Sequence, residues 1–383
     1  MKKYIFRRVI QILITLIIFQ TLLFVILDAQ PGDITNLYLT NPKVTPEIRD
    51  QMRTVLGLDK PPIVRYFQWL KNFVQGNLGV SFSNYPRPVM DIIMERAPRT
   101  LFLFLTNQIF SFILGYFLGK QMAWHRGTFF EYSLTIVGVI LYTIFTPWFG
   151  LMMIYLFGIK LQLLPIGKFL DPSLWRNVEI PANTLFYYMI LTAIIACLVI
   201  VAITLLTRKT SRTLRQIIRF GGTLGVIGLI ILAWSMTPYD YLALDILKHM
   251  ILPVLVSTLV SFAGTMLLMR NTMLETLRED FIMAARAKGL SEHVVRDKHA
   301  ARNAFLPVFT NLIINIPFAL SGGIITETIF SWPGMGLTLL QAVNLEDIPL
   351  AMGTLSFVGV LALIAHLIAD VAYAFLDPRI RYQ

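Results

Sequence analysis

Long apolar runs, separated by short segments that hold most of the charge, dominate this chain. A membrane-spanning helix needs about 20 predominantly apolar residues. Eight stretches meet that requirement: 9–27, 101–122, 132–158, 184–206, 220–236, 250–269, 307–329 and 351–376. The stretch 220–236 is the shortest and is rich in glycine. Outside these runs, Ile63, Phe67, Leu70 and Val74 fall on one face of a helix over 62–74. The pattern predicts an all-α, polytopic membrane protein of about eight transmembrane helices. Residues 28–100 are long enough to form a small folded external element, and 270–306 is the main connection on the other side.

Composition agrees with that pattern. Only 14% of residues are charged and 56% are hydrophobic, whereas soluble domains carry about a quarter charged residues. The net charge of +11 does not point to nucleic acid, because the basic residues sit in short connections. Lys2, Lys3, Arg7 and Arg8 precede the first run. Lys120 and Arg126 lie between the second and third, and Arg208, Lys209, Arg212, Arg215 and Arg219 between the fourth and fifth. Arg278, Arg286, Lys288, Arg296, Lys298 and Arg302 lie between the sixth and seventh, and Arg379 and Arg381 follow the last. Cytoplasmic loops are enriched in Lys and Arg, so both termini are expected in the cytoplasm. The N-terminal segment has the charge pattern of a signal peptide, but its apolar run is long and no small-x-small cleavage site follows it, so it reads as a retained first span. Pro147, Pro253 and Pro317 read as packing kinks, which neighbouring helices can accommodate. The single cysteine, Cys197, allows no internal disulfide and no thiolate metal site.

The connection 270–306 carries the most information. Strong helix formers fill 272–288. Gly289 stands where a left-handed capping residue ends a helix, and Ser291 can start a second helix through about residue 303. The small Ala284 and Ala285 would let a partner's surface approach closely, with Arg286 and Lys288 beside them for charge pairing. An amphipathic helix lying on anionic lipid is the alternative. Catalytic chemistry is not visible. The nearest string to a phosphate loop, Gly115 to Gln121, lacks the spacing and the hydroxyl, and Glu292-His293 is not in an H-E-x-x-H arrangement. His366 and Asp370 share a helix face near the end of the last run and read as a structural pair. Asn311 and Asn315, also four apart, could line a pathway or hydrogen-bond another helix.

The motif Met283-Ala284-Ala285-x-x-x-Gly289 resembles the Glu-Ala-Ala-x-x-x-Gly loop of ABC-importer permeases, with methionine in place of the leading acid. Ala285-Arg286-Ala287-Lys288-Gly289-Leu290, followed by His299-Ala300-Ala301-Arg302-Asn303-Ala304-Phe305-Leu306-Pro307, is similar to the longer form in the oligopeptide/dipeptide/nickel branch. Pro31-Gly32-Asp33, the segments 56–61, 66–82 and 95–101, Glu327 to Gly336 (ETIFSWPGMG) and Asp377 to Tyr382 (DPRIRY) extend the resemblance over most of the chain.

The resemblance implies an ABC type I importer permease core: a first helix at 1–27, an extracytoplasmic segment at 28–100, and a permease domain at 101–383 with a cytoplasmic coupling loop at 270–306. Typical members have six spans, so about 159–248 reads as a two-span insertion with a lipid-facing or accessory-partner role. Glu279, Asp280, Ala284, Ala285, Arg286, Lys288 and Gly289 are the implied ATPase-coupling residues. The implied partners are a second homologous permease, two ATPase subunits that carry ATP and magnesium, an extracytoplasmic solute-binding protein and membrane lipid. No cofactor or metal is expected in this chain. The implied location is a bacterial or archaeal cell membrane, and the implied cargo is a peptide, an oligosaccharide or a nickel chelate. A stand-alone secondary transporter is the alternative from another class.

Overall fold

A computed structural model describes residues 2–29, 60–320 and 323–376. Its elements in chain order are α1 (Lys2–Asp28), α2 (Pro62–Val74), α3 (Val89–Trp124), α4 (Phe129–Thr143), α5 (Thr146–Met153), α6 (Ala182–Leu206), α7 (Arg212–Ser235), α8 (Asp240–Thr276), α9 (Asp280–Ala287), α10 (Ala301–Leu320), α11 (Ile324–Ile329), α12 (Met335–Asn344) and α13 (Ile348–Leu376). The motifs at 31–33 and 377–382, and most of 56–61, lie outside the described residues.

Among the described residues, six helices are long and apolar enough to cross a membrane: α1, α3, α6, α7, α8 and α13. The expected run 132–158 is broken. α4 ends at Thr143, Ile144 turns to extended backbone, and the chain resumes as α5 with a bend of 103°. Pro147 lies in the first turn of α5, where its missing N–H costs nothing. Counted as one span, this bent pair would be a seventh. The expected run 307–329 is also built differently. α10 starts six residues earlier, at Ala301, and carries Pro307 and Pro317 inside it, while 324–329 forms the separate α11. A further helix, α12, occupies the connection 331–349.

The chain divides into two units. The first comprises Met1–Met152 and Pro253–Gln383. Its helix pairs are held by small and polar residues, as expected where lipid supplies no hydrophobic drive between helices. On α3, Asn107, Ser111, Gly115 and Gly119 repeat every four residues and face α8. Thr258 donates to the Asn107 side chain at 3.1 Å, and Ser261 to Ser111 at 3.1 Å. A Cβ at Gly115 would lie 2.7 Å from Thr265 Cβ, and one at Gly119 would collide with the Met266 carbonyl and lie 2.8 Å from Met269 Cβ. The Gly115–Gly119 pair, unsuited to phosphate binding, is thus a close-packing motif between two long helices. α1 and α13 are joined by Ser356 donating to Gln20 at 2.9 Å and by Arg8 pairing with Asp370 at 2.9–3.0 Å. Asp370 therefore has a partner on another helix, Arg8.

Two fully buried carboxylates organise the end of this unit remote from α9. Asp347 precedes α13 and accepts from Leu350 N at 3.1 Å, as an N-cap does. Its second oxygen accepts from Ser81 Oγ, Ser83 N and Ser83 Oγ at 2.6–2.8 Å, which fastens the segment before α3. Glu327 accepts from Thr100 Oγ1 at 2.7 Å and from Leu337 N, in the first turn of α12, at 2.9 Å. A side chain at Gly334 would collide with that carboxylate, and one at Gly336 would crowd the backbone of Ile324. The glycines of the ETIFSWPGMG segment thus leave room for a carboxyl group that accepts from the otherwise unpaired N–H groups of a helix N-terminus.

The second unit is Met153–Leu252. α6 and α7 form a hairpin in which Arg219 donates to Thr204 O at 2.7 Å and Thr207 Oγ1 at 3.0 Å, so capping the end of α6. Leu191, Ile195, Leu198, Leu224, Leu229 and Ile231 leave its outer faces apolar and exposed. Asp245, buried near the start of α8, accepts from Asp171 N and Trp175 Nε1 at 3.0 Å and fixes the loop before α6.

Gly119→Leu is expected to force α3 and α8 apart, with an overpacking cost of about 1–3 kcal/mol, read as a lower melting temperature and a smaller monodisperse fraction in detergent. Asp347→Ala removes a cap and strands several buried donors, at a cost of about 2–4 kcal/mol. Asp347→Asn, which retains an acceptor oxygen, should lose less in the same thermal assay.

Candidate functional site: the loop between α8 and α10

Three turns of sequence shape this loop. α8 continues to Thr276, so 272–276 belongs to the spanning helix and the expected single helix over 272–288 is divided. Glu279 then has extended backbone (φ −70°, ψ 147°) and starts α9, which runs only from Asp280 to Ala287. α9 ends in a Schellman motif. Leu290 N donates to Ala285 O at 3.4 Å, Gly289 N donates to Arg286 O at 2.9 Å, and Gly289 has φ +71°. Open space surrounds Gly289, so conformation alone demands glycine there. Ser291 begins the next helical segment with extended backbone (φ −66°, ψ 145°). That segment does not stop near residue 303. It widens into a π-helical stretch, Val295–Ala300, and runs straight into α10.

The inner face of the loop is packed. Ile282, Ala285, Val295, Ala300, Ala301 and Ala304 share one cluster with Met269, Met273, Ala123 and Val308, so α9 is keyed to the ends of α3, α8 and α10. The outer face is open: Phe281, Met283, Ala284, Arg286, Lys288 and Leu290 are exposed, as are Glu279 and Asp280. The expected Ala284–Ala285 pair is thereby split. Ala285 is a core residue of the loop, and only Ala284 presents a small side chain outward. Arg286 pairs with Glu292 at 3.2 Å across the turn, both ends exposed.

A second brace was not legible in the sequence. Asp297, in the π-helical stretch, is bound by Arg296 through two hydrogen bonds of 2.9 Å and by Lys120 of α3 at 3.1 Å. Hydrogen bonding from Arg296, then the charge and hydrogen bond of Lys120, hold the Asp297 carboxyl down at about 2 against the opposing effect of burial. The Arg296 guanidinium lies 5.8 Å from the Trp124 ring centre, within cation–π range. Nearby, Arg270 of α8 donates from Nε to Glu131 of α4 at 2.7 Å. The one hint in the sequence was a lone acid amid Arg296, Lys298 and Arg302. Nor does the sequence alone mark Phe281 and Met283 as an exposed apolar pair.

Asn311 and Asn315 bond each other. Asn315 Nδ2 donates to Asn311 O and Oδ1, both at 2.8 Å, on the outward face of α10. Among the described residues, no group of three or more His, Cys, Asp or Glu is placed to hold a metal. The arrangement suits mechanical docking: a short capped helix with an open face, packed against the ends of α3, α8 and α10.

Comparison with known proteins accords with this. Residues 111–382 match the family model described as the binding-protein-dependent transport system inner membrane component, and residues 1–104 match that of its N-terminal region. The chain is 31% identical over 382 residues to the oligopeptide transport system permease protein AppB of Bacillus subtilis (strain 168), with all of both chains covered. It is 29% identical over 383 residues to the dipeptide transport system permease protein DppB of Escherichia coli (strain K12), again with all of both covered. It is 30% identical over 362 residues to the di/tripeptide transport system permease protein DppB of Pseudomonas aeruginosa (strain UCBPP-PA14), which covers 94% of each chain. Helices long and apolar enough to cross a membrane and a family match over most of the length lead to one conclusion: this chain belongs to the inner membrane component family of binding-protein-dependent transport systems.

Proposed function

We propose that this chain is one of two homologous permease subunits through which an ATP-driven importer passes peptides across a bacterial or archaeal cell membrane. An extracytoplasmic binding protein delivers the peptide, and two separate ATPase subunits supply ATP and magnesium chemistry. Both termini lie in the cytoplasm. The observation that carries the reading is α9, with its open face of Phe281, Met283 and Ala284 and its inner face locked by Ile282 and Ala285 into the cluster at the ends of α3, α8 and α10. The names of the full-length relatives, peptide-transport permeases, supply the cargo.

Mechanistically, the exposed side chains of α9 seat in a groove of an ATPase subunit. Glu279, Asp280, Arg286 and Lys288 pair with charges at its rim, where the leading acid of the usual motif is replaced by Met283. When the two ATPases close on ATP, each drags its coupling helix. Movement of α9 passes into α8 and α10 through shared core contacts and into α3 through Lys120 and Asp297. Close-packed helices move as blocks rather than deforming, so the pathway changes its facing. Asn311 and Asn315 place a polar patch on α10 where the pathway runs.

Substitutions on opposite faces of α9 should separate docking from folding. Ala284→Trp, on the open face, is expected to abolish ATPase co-purification and uptake while leaving the melting temperature of the isolated permease unchanged. Wild-type uptake by that variant sinks the docking role. Ala285→Leu is expected to lower the melting temperature, with an overpacking cost of about 1–3 kcal/mol.

Gly289→Ala carries a left-handed penalty of about 1 kcal/mol and should weaken uptake in part. Gly289→Pro, whose ring fixes φ near −65°, should lose it entirely. Transport by the purified chain alone in liposomes, without ATP or partners, overturns the importer reading. A nickel chelate or oligosaccharide on the cognate binding protein overturns the peptide assignment alone.

A further inference from the structure

The helix α2 (Pro62–Val74) has an apolar sector wider than the described residues cover. At about 100° per residue, Trp69, Phe73, Tyr66, Leu70, Ile63, Val74 and Phe67 occupy a continuous arc of roughly 160°, and Arg65, Gln68 and Asn72 lie opposite. Half of this arc is packed. Trp69 and Phe73 lie against the cluster of Leu78, Val89, Ile92 and Ile93, and Tyr66 meets α1. The other half is bare: Ile63 is 68% exposed, Phe67 62% and Val74 78%. These three belong to the stripe that the sequence pattern puts on one face, and the described residues leave them uncovered.

The place where α2 meets α1 sets its level along the apolar window of α1. The Thr21 and Tyr66 hydroxyls share a hydrogen bond of 2.7 Å, and the Phe24 and Tyr66 rings pack edge to face at 5.5 Å. Thr21 and Phe24 lie inside the apolar window of α1, Ile5–Ile26. Thr21 is five residues short of its end, about 7 Å along the axis at 1.5 Å per residue. α2 is therefore anchored at the depth where the apolar window of α1 runs out. At that level Leu22, Val25 and Ile26 of α1 are 56%, 54% and 65% exposed, so an apolar surface continues there. Interfacial helices bury their apolar face about 5–10 Å into the boundary between headgroups and acyl chains. Lys60, held by Gln68 at 3.2 Å, and the exposed Lys71 flank the sector within reach of phosphate groups.

We infer that α2 is a membrane-interface helix, whose Ile63, Phe67 and Val74 insert into the lipid leaflet at the end of α1 opposite the N-terminus. The helix then braces α1 and the segment before α3 at a fixed depth, as a float would. Neither the coupling loop nor the identity of the cargo enters this inference.

The test uses the full chain, in its assembled complex, in liposomes of phosphatidylethanolamine and phosphatidylglycerol. Cys197→Ser provides a background for single-cysteine variants Ile63→Cys, Phe67→Cys, Val74→Cys and, as a control on the polar side, Asn72→Cys, each carrying a nitroxide. Collision with oxygen is expected to exceed collision with a water-soluble nickel chelate at 63, 67 and 74, and the reverse is expected at 72. Dominant access by the nickel chelate at 63, 67 and 74 overturns the inference, because the sector is then in water. Protection from both reagents there also overturns it, because a protein partner then covers the sector. Phe67→Trp, a milder change, gives a second reading. Fluorescence quenching by lipids brominated near the headgroup should exceed that of the parent chain, and equal quenching counts against the inference.

Discussion

The first unit depends most on how the short helix α9 is joined to the helices beside it. The join is a small apolar cluster rather than a hinge. Ile282 and Ala285 of α9 sit among Met269, Met273, Val295, Ala300, Ala301 and Ala304, and the side chains are mostly alanine and methionine. Alanine brings backbones close together and methionine fills what remains. A contact of that density has few soft modes, because protein interiors pack like organic crystals. A force applied to the open face of α9 therefore reaches α8 and α10 with little lost in local rearrangement. Gly289 contributes by stopping α9 abruptly, so that the chain can turn back into α10 without a slack loop.

The opposite end of the first unit is fixed by different physics. There, ionisable carboxylates are buried, and their burial is offset by hydrogen bonds from backbone and hydroxyl groups. Asp347 and Glu327 each serve the N-terminus of a helix and also hold a segment distant in sequence: Asp347 the serines at 81 and 83, Glu327 the hydroxyl of Thr100. Between the two ends, α3 and α8 run in close contact through Asn107, Ser111, Gly115 and Gly119. The first unit is thus fixed at one end by buried carboxylates, close-packed along its length and closed at the other end by the α9 cluster.

Some features of the site follow from local sequence alone. Apolar runs announce spanning helices because a bilayer leaves the backbone no other way to satisfy its hydrogen bonds. A glycine after a run of helix formers announces a left-handed cap because only glycine adopts that conformation without strain, and Gly289 does so. Signals of this kind depend on a few neighbouring residues, so they survive without knowledge of the fold. Helix boundaries are less local. Extension of α8 to Thr276, the break at Ile144 and the unbroken passage through Pro307 all depend on which neighbours can satisfy a freed carbonyl or bury a face.

The sequence by itself determined that the chain is helical, that it is built for a membrane, and that Gly289 ends a helix in the loop 270–306. Tertiary structure decided which side of each helix faces what. It turned Ala285 inward and Ala284 outward, joined Asp297 to Lys120, placed Arg8 against Asp370 and left Ile63, Phe67 and Val74 uncovered. The physical reason is range. Hydropathy and capping act over one or two turns of chain, whereas the facing of a side chain depends on partners up to hundreds of residues away, and an amphipathic pattern does not say whether protein or lipid will meet its apolar side.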